Sequence, residues 1–361
     1  LRELRRQNKL AERRSGRLAF LNLPAQFDEQ TALPRMQALA DDWRQRGYED
    51  VLILGGVASG ARMVFTALAE EDWNRLSVEG RGGHPRIHFV EPDRIEEVLR
   101  TLNGARTGLL VIADSLDGRP LLHHAFEVAV SQLTQQVGDD AVPAHVAVVT
   151  PVNGGSLDVW ASSNRAGHRF EIPPGLKEAD AFFSPAGLLP LVLAGRRESV
   201  RQVVRGGQEF VKMMDAVTAG AANGVSVDGL PRVLPYLHAA VLAGLARKGS
   251  ADRKMNAIVM PYSEKLREYG RWVAAHLNRA VAAPRVPLIA QGAVGTRHQH
   301  ASLQAWQKAH NQFHVMPIGV QEFTHELTVP LDQGAPPLFT GAQLGGDLMR
   351  VTRQGVTTAL T

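Results

Sequence analysis

The chain has 361 residues, 44% hydrophobic and 21% charged, which is material for two domains each with its own core. It contains no cysteine, so disulfides, thiolate nucleophiles and cysteine-held zinc are excluded. No apolar run approaches the roughly 20 residues that span a bilayer, and the first residues lack the apolar stretch of a signal peptide. A cytoplasmic location is the expectation.

The pI of about 9.6 suggests a nucleic-acid partner until the charge is located. Residues 1–17 carry seven Lys/Arg against Glu3 and Glu12, a net of +5, whereas the whole chain is +4. Everything after the head is therefore close to neutral. A solvated basic helix explains this better than a phosphate-binding arm, and aromatic residues are not interleaved with the basic ones. No nucleic-acid partner is expected.

After a short apolar segment ending at Pro24, Met36, Leu39, Ala40 and Trp43 fall at helical spacing, so a helix is predicted from Pro34 to Gly47. Val51–Leu54 is a continuous apolar strand of the kind buried in a parallel sheet, turned by Gly55-Gly56 into a helix from about Ser59 to Ala69. Arg86–Val90 is a second strand, followed by a helix from Asp93 to Leu102. Leu109–Ile112 and His145–Val149 are a third and a fourth, followed by helices from Pro120 to Gln136 and from near Ser156. Four βα units predict a doubly wound parallel sheet, with ligands outside the carboxyl ends of its strands.

From Glu198 to Lys248 the pattern is helical, broken at Gly220 to Gly229. A second α/β unit follows: a strand at Ala257–Met260, a helical run from Tyr262 to Ala283 and a strand at His314–Ile318. Between the last two lies GAVGTRHQHASLQAW, Gly292 to Trp306, which is expected to turn helical near Ala301 and to place His298 and His300 at the helix entrance. A final helix from about Gly341 meets no stop signal before Thr361, so the chain is expected to continue further. The domains read as a helical segment 1–47, a first α/β domain 48–196 and a second 197–361.

The turn Gly55-Gly56-Val57-Ala58-Ser59-Gly60 could bring backbone N–H groups to an anion, but it fits neither G-x-G-x-x-G nor a Walker loop; a tight strand-to-helix turn needs glycine in any case. Ala113-Asp114-Ser115-Leu116-Asp117-Gly118 stands where a second ligand loop would be. Two carboxylates are poor company for a phosphate, and a surface turn is the plainer reading. His298 and His300 lack a carboxylate within a turn to complete a metal site. A single histidine exchanging a proton at a sugar oxygen is chemically sensible.

Five segments, in order, resemble the glucose-6-phosphate isomerase family. Gly55, Gly56, Gly60 and Arg62 resemble its first glycine turn. Val90-Glu91-Pro92 to Leu102 resembles the following strand and helix, and Phe183-Ser184-Pro185-Ala186-Gly187-Leu188-Leu189-Pro190 the end of its first domain. Met260-Pro261-Tyr262-Ser263-Glu264-Lys265-Leu266 with Trp272 resembles the approach to the catalytic glutamate. Gly295-Thr296-Arg297-His298-Gln299-His300 with Gln304 resembles the segment bearing the ring-opening histidine.

The resemblance implies two sugar-isomerase-type three-layer α/β/α domains with mainly parallel sheets. It implies His300 as the catalytic position, and Gly55, Gly56, Gly60, Ser115 and Gln304 as substrate-binding positions. It also implies a sugar-phosphate ligand and a dimer, either of two copies or with an active relative. No cofactor, metal or membrane partner is expected.

The departures weigh against activity. The family's glutamate position holds Arg279, which cannot act as a base at neutral pH. Of its phosphate loop only Ser115 remains, and the lysine there has become Asp114. The serine of the first turn has become Val57, and Lys177-Glu178-Ala179 replaces a Gly-Gly-Arg segment. An isomerase-defective binding or scaffolding protein is expected. The rival is an active divergent isomerase using His300 with Glu264 or Glu268, interconverting glucose 6-phosphate and fructose 6-phosphate in glycolysis and gluconeogenesis.

Overall fold

A computed structural model describes residues 19–55, 60–70, 72–153, 155–163, 166–173, 175–176, 180–220, 255–280, 288–308 and 312–319. The basic head and the helix expected from Gly341 lie outside them. The chain divides into two compact units, Leu1–Leu237 and His238–Thr361.

In the first unit, five strands run parallel in the order β2-β1-β3-β4-β5: β1 Asp50–Leu54, β2 Arg86–Val90, β3 Thr107–Ile112, β4 Val146–Thr150 and β5 His168–Glu171. Every residue of β1, β3 and β4 is buried, which explains their unbroken apolar runs: a central parallel strand is covered on both faces. The helices are α1 Ala32–Gln45, α2 Gly60–Leu68, α3 Ile95–Leu99, α4 Pro120–Val137, α5 Ser156–Ser163, α6 Pro185–Leu193 and α7 Arg197–Gly220. The core cluster joins β1, β3 and β4 to Ile95 and Leu99 of α3, Leu122, Phe126 and Leu133 of α4, and Leu157 of α5.

On the first helix, Leu33, Met36, Leu39, Ala40 and Trp43 are all buried, so the apolar stripe read from their spacing is the packing face. The Trp43 ring packs against Gly108 of β3 so closely that a Cβ there would lie 2.7 Å from Cζ3. Its indole N–H donates to the Ala144 carbonyl at 3.2 Å.

The amino end of this sheet carries its own polar cluster. Asp50 receives two hydrogen bonds of 2.7 Å from the Arg86 guanidinium and lies 2.7 Å from His88 Nε2. Burial pushes its carboxyl up, but the bonds to His88 and Arg86 outweigh that and hold it below the ordinary range. The Tyr48 ring stacks on His145 at 4.6 Å; burial raises the phenol to about 12 and lowers the imidazole. These groups lie at the end of the strands opposite the one that binds ligands in such sheets.

In the second unit, β6 Met255–Pro261, β7 Leu288–Gly292 and β8 Phe313–Ile318 run parallel in the order β7-β6-β8, with helices α8 Arg267–Ala280 and α9 Gly295–Lys308. Two expectations change here. Strand β7 is additional to those read from the sequence. The last helix opens at Gly295 rather than near Ala301, so His298 and His300 stand inside its first two turns. Gly295 begins the helix because the Tyr262 ring leaves no room for a Cβ, and His298 Nδ1 receives the Val294 N–H at 2.9 Å as a cap. Among the described residues, no helix is long and apolar enough to cross a membrane.

Candidate functional site

In the first unit the chain goes from β1 outward to β2 and returns across it to β3, so the strand order reverses between β1 and β3. A crevice outside the carboxyl ends of those strands is where an open α/β sheet binds ligands. Of the residues singled out in this unit, Gly55, Gly60 and Ser115 come to that point. Gly55 ends β1 with φ +87°, and a Cβ on it would collide with the Ile112 carbonyl at the end of β3. Gly60 begins α2 against Phe182, again with no space for a Cβ. Gly56 and Val57 lie outside the described residues, as do Lys177, Glu178 and Ala179.

Ser115 belongs to the loop after β3, which Leu116 anchors in the core at 2% exposure. Its hydroxyl donates to Asp117 Oδ2 at 2.8 Å and accepts the Asp117 N–H at 2.9 Å. The same Oδ2 accepts the Ser156 N–H at 3.1 Å, from the start of α5. Gly155, at φ +79°, passes so near that a Cβ would overlap Asp117 Oδ2 and approach Ser115 Oγ. Asp114 faces Arg119 at 3.6 Å. Arg62, in the first turn of α2, reaches Glu91 beyond β2 at 3.3 Å.

An aspartate carboxylate thus occupies the donors that a loop and a helix start would offer an anion: a serine hydroxyl and an N–H at the positive end of α5. Those bonds, with Ser115 first, hold the Asp117 carboxyl below its ordinary range. A lowered folded-state pKa means that its contribution to stability is full above the unfolded value near 3.8 and is lost as pH falls through the folded one. The expected result is an Asp117 carboxylate chemical shift that titrates below that value, and a Ser156 amide that loses exchange protection in the same window. In Asp117→Ala the Ser156 amide is expected to lack that protection at every pH.

Asp117 and its link to Ser156 were not legible as a unit in the sequence. The one signal was Gly154-Gly155-Ser156 after β4, a second glycine turn following a strand as the first does.

In the second unit, His300 lies in the second turn of α9 with its side chain outside the description. Gln304 follows four residues on and is exposed. Beside the start of α9, Glu264 is held at both oxygens, by Arg267 at 2.5 Å and by Arg297 at 3.1 Å. Glu268 pairs with Arg271 at 2.9 Å. Arg279 is in the last turn of α8, exposed, with Nη2 3.5 Å from His276 Nε2. Among the described residues, no group of three or more His, Asp or Glu could hold a metal ion.

No family model matches the chain. A glucose-6-phosphate isomerase of Carboxydothermus hydrogenoformans is 25% identical over 97% of this chain and 73% of its own length. Those of Rubrobacter xylanophilus (25%) and Thermus thermophilus (28%) match over 77% and 81% of this chain and 60% and 63% of theirs. The chain therefore spans about three fifths to three quarters of these relatives. Among solved structures, a hypothetical protein from Thermus thermophilus superposes with a TM-score of 0.75 at 21% identity, covering 98% of this chain and 80% of that one. A glucose-6-phosphate isomerase from Chlamydia trachomatis gives 0.61 at 18%, covering 92% and 63%.

The parallel sheets, their flanking helices and these neighbours define an α/β fold that a glucose-6-phosphate isomerase of known structure shares. The sequence relatives add that the chain is similar to glucose-6-phosphate isomerases over most of its length, at 22–28% identity.

Proposed function

We propose that the chain keeps the isomerase fold but not efficient aldose–ketose exchange, and that it works in the cytoplasm as a binding or scaffolding subunit, paired with a second copy or with an active relative. The observation that carries this reading is the Asp117 carboxylate bonded to Ser115 and to the start of α5. A phosphate arriving there meets a negative charge that already holds the donors it would use, and like charges in contact repel. Binding energy from the remote phosphate is what positions a sugar for reaction, so its loss reaches the chemistry as well as the affinity.

Position 279 adds to the argument, because an arginine supplies no base for the proton shift between adjacent carbons. The rival reading needs Glu264 or Glu268 in that role. Arginines occupy both oxygens of Glu264, and Arg271 engages Glu268.

Calorimetric titration with fructose 6-phosphate and glucose 6-phosphate tests the binding half of the reading. We expect no saturable heat at about 1 mM ligand. A dissociation constant of about 100 µM or tighter for either sugar phosphate contradicts it.

A further inference from the structure

Strands β2 and β7 are edge strands of their described sheets. An edge leaves a row of N–H and C=O groups to which another chain can add a strand. In both units one asparagine side chain covers a position of that row, Ile87 near the start of β2 and Ala290 at the middle of β7. Asn74 Nδ2 donates to the Ile87 carbonyl at 2.8 Å and Asn74 Oδ1 accepts the Ile87 N–H at 2.8 Å. Asn278 repeats the pattern on Ala290, donating at 2.9 Å and accepting at 2.7 Å.

Each asparagine comes from the segment just before the strand it covers: Asn74 from the turn Trp73–Arg75, thirteen residues before Ile87, and Asn278 from the last turn of α8, twelve before Ala290. Arg86, one residue earlier, turns its N–H inward to Glu49, so Ile87 is a position whose backbone faces outward. A primary amide presents one donor and one acceptor side by side, the same pair that an adjoining strand presents. The remaining edge of the first sheet, β5, is only four residues long, and the Arg35 guanidinium donates to the Arg169 carbonyl there at 3.1 Å.

We propose that Asn74 and Asn278 are strand surrogates, each filling with its amide the ladder position beside an edge strand and so barring a second copy of this chain from extending the sheet. Any association between copies then uses a surface other than these edges.

The test is sedimentation velocity over a range of concentrations on the full chain with Asn74→Ala, Asn278→Ala, Asn74→Asp and Asn278→Asp. Aspartate cannot donate to the strand carbonyl, so it loses the paired arrangement as alanine does. It also puts a charge on the edge, which itself discourages strand addition. Both alanine variants should form species larger than the wild type's as concentration rises, and both aspartate variants should not. The proposal is overturned if either alanine variant sediments as the wild type. It is also overturned if the aspartate variants associate as much as the alanine ones, because the cause is then loss of stability rather than an opened edge.

Discussion

Replacing Trp43 with alanine is expected to destabilise the first unit by about 3–5 kcal/mol, the range for removing a large aromatic from a core. The ring is fully buried, fills the groove left by Gly108 and satisfies the Ala144 carbonyl. Alanine leaves a cavity that the sheet cannot collapse into, because β3 is pinned in register on both sides. Urea unfolding followed by far-UV circular dichroism reads the loss as a lower midpoint. Trp43→Phe, which refills much of the volume but leaves that carbonyl only the Tyr48 hydroxyl at 3.5 Å, should fall between the two.

The second large effect is expected for Gly55→Ala, at about 2–5 kcal/mol. Part of this is the roughly 1–2 kcal/mol of putting a Cβ on a left-handed backbone. The rest is the clash with the Ile112 carbonyl, of the order of an overpacked core, about 1–3 kcal/mol. Gly47→Ala separates the two contributions. Gly47 has φ +72° but nothing within 4 Å of a Cβ, so only the backbone cost of about 1–2 kcal/mol should appear. Equal losses in the two variants would show that β1 and β3 yield at their carboxyl ends, beside the reversal of strand order.

What could be read from the sequence follows from where the forces are local. Central strands β1, β3 and β4 announce themselves because burial on both faces demands unbroken apolar runs. The boundaries of β2 were legible through its flanking turns. Strand β5, His-Arg-Phe-Glu, was not: it is short, polar and at an edge, where one ladder suffices. Strand β7 hides in a stretch where Ile289 and Gln291 are exposed, which dilutes its apolar signal. The start of α9 was misplaced because its first turn is glycine and polar residues; the Tyr262 ring and the His298 cap that set it are tertiary and side-chain effects.

The glycine turn after β1 and the loop holding Ser115 were legible as strand-to-helix connections, and the poor fit of two carboxylates to a phosphate through charge alone. That Asp117 itself takes the place at the start of α5 depends on a bond spanning 39 residues, which no local pattern carries. The asparagines at the sheet edges are of the same kind. Their amides acquire meaning only when strand and preceding segment are folded together.

The most direct measurement is the turnover of glucose 6-phosphate to fructose 6-phosphate by the full chain at neutral pH. Loss of a positioned base alone costs about 10²- to 10⁴-fold, so the account predicts a rate at least about 100-fold below the roughly 10 s⁻¹ of an ordinary enzyme. A rate within about tenfold of that value would contradict it, and would favour the rival in which Glu264 or Glu268 supplies the base.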